Sequence, residues 1–286
     1  MESNEVIGLI PCGGHASRIS PLPCSKEVLP VGLSGTSDCG LRPKVVSCYL
    51  LEQMRLGGVR KAFLVLRKGK WDIPAYYGNG VPFGLDLGYL IVSQPHGPAY
   101  TIDAAYPFLR GSRVAFGFPD ILFEPQDVFE RALARLSTTG ADVVLALCRA
   151  RDTRAEEMIE TDREGRVREL FIKPKATNLK LGWVLAVWTK NFTEYLHQYI
   201  TAKTEKFEKG SEPVSEVTPA EVIQAAVRDG MVTQSVAFPN HYYLDIGTPN
   251  GLQRVIGGHG ARWPEVVRGK APKQRIQKKG KKRNVT

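Results

Sequence analysis

The stretch 6-VIGLIPCGGHASRISPLPCSK-26 begins with a short apolar run that stops at two adjacent glycines. Residues 6–10 are typical of a buried β-strand, which Gly13-Gly14 would end. Glycine lets the backbone approach a phosphate closely, and its N–H groups can bind anionic oxygens. Arg18 and Lys26 follow as two cations. The stretch therefore predicts a strand that leads into a polyphosphate-binding loop, and a tight turn with surface cations is the alternative.

Outward from this stretch, short β-rich runs alternate with segments of helical length. Further strands are predicted over 61–66, 89–93, 113–118 and 141–147, with helices over 43–57, 98–109 and 125–137. Apolar strands separated by helices indicate an α/β fold. We expect a central mixed, mostly parallel sheet with helices on both faces.

The second half of the chain predicts a hairpin, because 162-DREG-165 separates two β-rich runs. The further elements are a strand over 181–188, helices over 190–202, 219–229 and 249–256, a loop over 203–216, and strands over 233–238 and 241–245. We predict a single domain over residues 1–257, with a smaller acceptor-binding portion over about 150–235.

Composition excludes several classes of protein. No apolar run approaches the roughly 18–20 residues that span a bilayer. The N-terminus MESNEV lacks the features of a secretory signal. Five scattered cysteines without a C-x-x-C pair predict reduced thiols instead of a disulfide framework or a zinc site. We therefore expect a cytoplasmic protein with no membrane partner, and a homo-oligomer is compatible with the sequence.

Basic charge is concentrated at the C-terminus. The chain carries a net charge of +10, and nine Lys and Arg residues lie in residues 268–286, which contain no acid. Without those nine charges, residues 1–267 are almost neutral. We expect residues 258–286 to form a disordered basic tail. Such a tail could contact RNA, an acidic partner or an anionic membrane, or be an inert solvated terminus. Nucleic acid is not the partner we expect.

Polar residues follow several predicted strands, where ligands gather in open α/β sheets. In 94-QPHGPAYTI-102, Gln94 offers both a donor and an acceptor for reading a nucleobase. Asp120 follows one strand and Asp245 ends another. Each aspartate alone is most often a turn or helix-capping residue. As a pair they could hold Mg²⁺ while phosphates complete its coordination, and with the glycine loop they suit transfer of a nucleotidyl group.

These motifs resemble those of the sugar-1-phosphate nucleotidyltransferases, which include the glucose-1-phosphate thymidylyltransferases. The family pattern is G-G-x-G-T-R-L-x-P-L-T, P-K-x-L-L-P, G-D, E-K-P and D-x-G-T-P. The chain shows GGHASRISPL, SKEVLP, GFPD, IKP and DIGTP in the same order over about residues 5–257. The resemblance implies a Rossmann-like nucleotide-diphospho-sugar transferase (GT-A-like) fold.

The resemblance also implies roles for individual residues. Gly13 and Gly14 would line the nucleotide, and Gln94 and Gly97 would face its base. Asp120 and Asp245 would hold Mg²⁺. The resemblance further implies phosphate contacts from Arg18, Lys26 and Lys173, and a sugar pocket bordered by Gly182. Arg18 and Lys26 would bind the triphosphate, and Lys173 would bind the phosphate of the incoming sugar. The partners would be an NTP and a sugar 1-phosphate.

Several positions depart from the family pattern. Ala16 and Ser17 replace the Gly-Thr of the loop, and Arg18 lies eight residues before Lys26 where the family has ten. Ile172 replaces a glutamate, and 156-EEMIET-161 stands where a tyrosine-glycine pair is common. Four interpretations follow. They are a sugar-phosphate nucleotidyltransferase, an enzyme for another acceptor such as phosphocholine or a cyclitol phosphate, a non-catalytic regulatory homologue, and a nucleic-acid-binding protein.

Overall fold

The computed structural model describes residues 5–36, 40–93, 96–154, 156–209 and 216–257, so the predicted basic tail lies outside the described residues. The strands of this part of the chain are β1 (Val6–Cys12), β2 (Pro30–Thr36), β3 (Gly40–Val45), β4 (Lys61–Arg67), β5 (Asp86–Val92), β6 (Arg113–Gly117), β7 (Ile121–Leu122), β8 (Val143–Arg149), β9 (Glu157–Thr161), β10 (Val167–Ile172), β11 (Leu181–Trp188), β12 (Thr233–Tyr242) and β13 (Leu244–Asp245). The helices are α1 (Val46–Leu56), α2 (Asp72–Tyr77), α3 (Pro98–Asp103), α4 (Tyr106–Leu109), α5 (Val128–Thr139), α6 (Lys190–Glu208), α7 (Pro219–Arg228) and α8 (Pro249–Gly257).

Nine of the strands form one mixed sheet. Its order is β10-β9-β11-β6-β1-β4-β5, and β8 joins it by pairing with β11 and with β12. The pairs β1–β4, β1–β6, β4–β5 and β8–β12 are parallel, whereas β11 is antiparallel to each of its neighbours. Only β10 and β11 therefore run against the other strands of this sheet. The predicted α/β fold with a mostly parallel central sheet is confirmed.

Helices cover both faces of the sheet, as the buried strands require. Along β1, Ile10 packs into a core with Leu50 of α1 and Phe129 of α5. Its neighbour Leu9 points to the opposite face and packs into a second core with Phe192 of α6. Successive side chains of a strand alternate between faces, so one apolar run serves both cores. The packed sheet fixes the positions of the strand ends, and several predicted site residues lie there.

The structure corrects several predicted elements. Helix α1 begins at Val46 instead of residue 43, because Pro43 belongs to β3 of a hairpin that the sequence analysis missed. The predicted helix over 98–109 is two short helices, α3 and α4. Residues 203–208 continue helix α6 and do not form the predicted loop. The predicted hairpin around 162–165 is confirmed as β9–β10.

Two further observations bear on the class of protein. No helix in the described ranges is long and apolar enough to cross a membrane. The four cysteines in those ranges are free thiols, and burial raises the pKa of Cys12, the last residue of β1.

Candidate active site

A cavity of about 700 Å³ lies where β1 and β6 end. Eight of the ten predicted site residues line it, namely Gly13, Gly14, Arg18, Lys26, Gly97, Asp120, Lys173 and Asp245. Gly182 lies just behind its wall, and Gln94 lies outside the described residues. Segments far apart in the sequence therefore converge on one cavity.

The two predicted metal-binding aspartates meet through a small two-stranded sheet. Strand β13 pairs with β7 so that Asp245 lies opposite Ile121, and the backbone N–H of Ile246 donates to the carbonyl of Asp120 at 3.0 Å. Gly247 leaves a gap between the two carboxylates. A methyl group there would lie 2.6 Å from Oδ2 of Asp120 and 2.9 Å from Oδ1 of Asp245. The gap is a space bordered by carboxylate oxygens, which are the ligands that Mg²⁺ prefers.

The electrostatics of this carboxylate pair involve two cations. Lys26 Nζ lies 2.6 Å from Oδ2 of the buried Asp120. An Arg18 nitrogen lies 3.7 Å from Oδ2 of Asp245, and 60% of the Arg18 side chain is exposed. Burial disfavours the ionised form of Asp120, but the charge and hydrogen bond of Lys26 lower its pKa. Burial and the nearby Asp120 together raise the pKa of Asp245. A divalent cation beside these two carboxylates would favour the ionised form of both.

Lys26 is surrounded by negative charge. Burial opposes its charge, but Asp120, Glu27 and Asp245 together raise its pKa. Lys26 is thus a permanent cation at the wall of the cavity. Its side chain is 15% exposed, so an incoming anion could reach it.

One ion pair and one set of hydrogen bonds that the sequence analysis missed hold the segment around Lys26. Glu27 is completely buried, and Nζ of Lys70 lies 2.7 and 2.8 Å from its two carboxylate oxygens. On the other side of Lys26, Asp72 accepts hydrogen bonds from the backbone N–H and the hydroxyl of Ser25. A short-range pattern cannot show these contacts, because the partners lie on other segments. They fix the backbone that carries the cation.

Ala16 stands where the family pattern has a glycine, and its backbone conformation is one typical of glycine. Ala16 adopts φ 55° and ψ 29°, which is the left-handed region that favours glycine. The backbone N–H of Ile19 donates to the Ala16 carbonyl at 3.0 Å, which closes the turn that carries Arg18. Ala16 therefore holds a backbone conformation that carries strain for a residue other than glycine.

Gly97 allows two segments to approach closely. Its φ is 129°, and a methyl group there would lie 2.9 Å from Cγ of Glu216 and 3.0 Å from the backbone nitrogen of Val217. The N–H of Ala99 donates to the carbonyl of Val217 at 3.0 Å. Gly97 thus joins the start of α3 to the segment before α7 at the rim of the cavity.

The other end of the cavity combines the predicted Lys173 with two glutamates to which the sequence analysis assigned no role. Lys173 follows β10 with a left-handed φ of 46°. Glu157 accepts a hydrogen bond from the indole N–H of Trp183, and Glu156 accepts one from the Tyr243 hydroxyl. Burial raises the pKa of both glutamates. The pair of glutamates in 156-EEMIET-161 was visible in the sequence, but its partners were not.

Gly182 makes room for this end of the cavity. A side chain there would meet the Tyr243 hydroxyl at 2.6 Å and the backbone oxygen of Glu157 at 3.0 Å.

Within the described ranges, no cluster of three or more His, Cys, Asp or Glu side chains could hold a metal ion. A metal at Asp120 and Asp245 would therefore take its other ligands from phosphate oxygens and water.

Comparisons with known proteins identify the family of this chain. The family model described as nucleotidyl transferase matches residues 7–258. A glucose-1-phosphate thymidylyltransferase of Streptomyces antibioticus is 25% identical over 255 residues, which are 86% of this chain and 64% of the relative. The chain thus spans less than two thirds of the length of that protein.

Solved structures share the fold. A UDP-glucose pyrophosphorylase complexed with UDP-glucose matches with a TM-score of 0.68 and 15% identity, over 89% of this chain and 98% of that one. An inositol-1-phosphate CTP transferase from T. maritima matches with a TM-score of 0.65 and 16% identity, over 90% and 97%. At such low identity these two matches establish the fold alone.

Proposed function

The chain belongs to the nucleotidyl transferase family, and from that premise we propose that it transfers a nucleotidyl group from an NTP to a sugar 1-phosphate. The observation that carries the proposal is that three cations and two carboxylates line one cavity. The cations are Arg18, Lys26 and Lys173, and the carboxylates are Asp120 and Asp245. The products are an NDP-sugar and pyrophosphate.

The proposed chemistry is an in-line displacement at phosphorus. An oxygen of the acceptor phosphate forms a bond to the α-phosphorus, and the bond from that phosphorus to the bridging oxygen of the β-phosphate breaks. The electron pair leaves with pyrophosphate. The attacking oxygen is already ionised, so the reaction needs no general base and no covalent enzyme intermediate. Catalysis consists of positioning and charge neutralisation.

Each residue has a defined part in this proposal. Gly13 and Gly14 line the nucleotide, while Arg18 and Lys26 bind the triphosphate and neutralise the departing pyrophosphate. Lys173 holds the acceptor phosphate against the α-phosphorus. Gln94 and Gly97 are proposed to lie at the base, and Gly182 to border the sugar pocket within the acceptor-binding portion over about 150–235.

We propose Mg²⁺ as the metal. Asp120 and Asp245 would hold it in the gap that Gly247 leaves, where a side chain would fill the space. When bound, Mg²⁺ would neutralise phosphate charge and polarise the phosphoryl oxygens. Lys26 already bonds Asp120, so this carboxylate is oriented before any ligand enters.

A second candidate is a phosphorylated acceptor that is not a sugar, such as a cyclitol phosphate or phosphocholine. The observation that favours it is a departure from the family pattern. Ile172 stands where that pattern has a glutamate, and it is 41% exposed and does not line the cavity. The fold is shared with an inositol-1-phosphate CTP transferase, which supports the same candidate.

Pyrophosphate release tests the proposal. Purified protein is incubated with Mg²⁺, one of five NTPs, and one of a panel of sugar 1-phosphates, cyclitol phosphates and phosphocholine. Release that needs one NTP and one acceptor together supports transfer and identifies both substrates. Asp245→Ala should abolish release, whereas Asp86→Ala, at an exposed position on β5 outside the cavity, should not. Retained turnover in Asp245→Ala would contradict the metal site.

A further inference from the structure

Glu157 is a cavity residue to which the proposed chemistry assigns no part. It begins β9, and one of its carboxylate oxygens, Oε2, accepts the hydrogen bond of Trp183 Nε1. Trp183 is itself buried and packs against Phe118, with ring centroids 5.5 Å apart. The indole therefore fixes the orientation of the carboxylate. Among the described residues, none donates a hydrogen bond to the other oxygen, Oε1.

The strand register places Glu157 beside the acceptor phosphate site. In the antiparallel β9–β10 pair, Glu157 lies directly opposite Ile172. Side chains of directly opposed residues share a face, with Cβ atoms about 4.5–5.5 Å apart. Lys173 is the next residue, and its charge partly offsets the burial that raises the pKa of Glu157. The side chain of Ile172, which replaces the glutamate of the family pattern, cannot accept a hydrogen bond. In this chain the carboxylate at this point of the hairpin belongs to Glu157 on β9.

A carboxylate in this position has a narrow chemistry. An ionised carboxylate accepts hydrogen bonds and donates none. Hydrogen bonds to a charged group are stronger than neutral ones, and burial from water strengthens them further. A group that carries hydroxyls next to a phosphate would satisfy both Lys173 and the second oxygen of Glu157. An acceptor without donors, such as phosphocholine, would leave that oxygen without a partner.

We propose that Glu157 selects the acceptor by accepting hydrogen bonds from hydroxyl groups adjacent to the phosphate that Lys173 holds. The acceptor class is therefore a polyhydroxylated phosphate, which is a sugar phosphate or a cyclitol phosphate. This inference rests on the proposed function, because it requires a phosphorylated acceptor at this end of the cavity.

Glu157→Gln changes the polarity of this group without changing its shape. The indole N–H of Trp183 can only donate, so the amide oxygen stays on Trp183 and the NH₂ group faces the cavity. A charged acceptor of hydrogen bonds becomes a neutral donor. We expect the KM for the acceptor to rise about tenfold, the size of effect that loss of one charge-assisted hydrogen bond produces. The KM for the NTP and the melting temperature should stay at their wild-type values.

Two further variants serve as controls. Glu160→Gln makes the same chemical change at an exposed position on the same strand and should leave every kinetic constant unchanged. Trp183→Phe keeps a ring but removes the N–H that orients Glu157, so the acceptor KM should rise about threefold to tenfold. This second variant tests the same contact from its other side.

The outcomes separate this inference from the proposed function. A wild-type protein that turns over a polyhydroxylated acceptor, with an unchanged acceptor KM in Glu157→Gln, overturns the role of Glu157 and leaves the proposed function in place. Phosphocholine as the best acceptor also overturns it. Absence of turnover with every NTP and acceptor would overturn the proposed function, and this inference with it.

Discussion

Replacement of Lys70 should destabilise the segment that carries Lys26, because Lys70 pairs with the neighbouring Glu27. In Lys70→Met, the buried carboxylate of Glu27 loses the group that lies 2.7 and 2.8 Å from its two oxygens. The side chains of the pair are 5% and 0% exposed, so water cannot replace the lost partner. Breaking a buried ion pair by removing one partner costs about 3–5 kcal/mol.

The expected value lies near the lower end of that range. Burial raises the pKa of Glu27, and the charge of Lys26, which remains in this variant, partly offsets that effect. We therefore expect Lys70→Met to lower the free energy of unfolding by about 3 kcal/mol at neutral pH. That is a large part of the roughly 5–15 kcal/mol that stabilises a typical domain. Urea denaturation followed by circular dichroism measures it.

Two comparisons make the measurement specific. Lys209→Met removes an exposed partner of Glu205 on α6 and should cost less than about 0.5 kcal/mol. In the double variant Glu27→Gln with Lys70→Met, the unpaired charge is gone, so at least half of the loss should be recovered. A loss below about 1 kcal/mol in Lys70→Met, or a double variant as unstable as the single one, would refute this reasoning.

Three further predictions concern the cavity. Gly247→Ala should weaken Mg²⁺-dependent NTP binding at least about tenfold in calorimetry, since its methyl group would lie 2.6 Å from Oδ2 of Asp120; unchanged affinity would argue against a metal there. Gly97→Ala should destabilise the fold by about 1–3 kcal/mol more than Gly230→Ala, because both have positive φ but only Gly97 has close neighbours; equal melting temperatures would contradict this. Burial raises the pKa of Glu157, so the acceptor KM should rise as the pH falls through that pKa and the carboxylate is neutralised. The rise in KM should be absent in Glu157→Gln. If Glu157→Gln still shows it, another group causes the pH dependence.

Much of the fold follows from local patterns. Strand β1 is apolar on both faces, and this pattern predicts burial on both sides and hence a parallel strand under two helix layers. The errors arose where neighbouring segments override the local pattern. Pro43 is a good first residue of a helix, yet here it pairs in the β2–β3 hairpin, and α6 continues through polar residues that the sequence analysis assigned to a loop.

Part of the candidate site was predictable from local pattern, because some of its residues stand at the end of a strand or in a glycine loop. Gly13, Gly14, Asp120 and Asp245 could be selected in this way, and all four line the cavity. The sequence analysis passed over Glu157 because a glutamate at the start of a strand is an ordinary residue by local pattern. Its importance depends on Trp183, which lies on another strand.

The sequence by itself determined the fold class, most of the central strands and the strand ends where several candidate site residues stand, because these depend on the periodicity and turn chemistry of adjacent residues. The tertiary structure alone decided which side chains meet. The pairing of β13 with β7 brings Asp245 to Asp120, and the packing of distant segments buries Glu27 against Lys70. Such contacts depend on strand register and on charge burial, and both arise only when segments far apart in the chain are brought together.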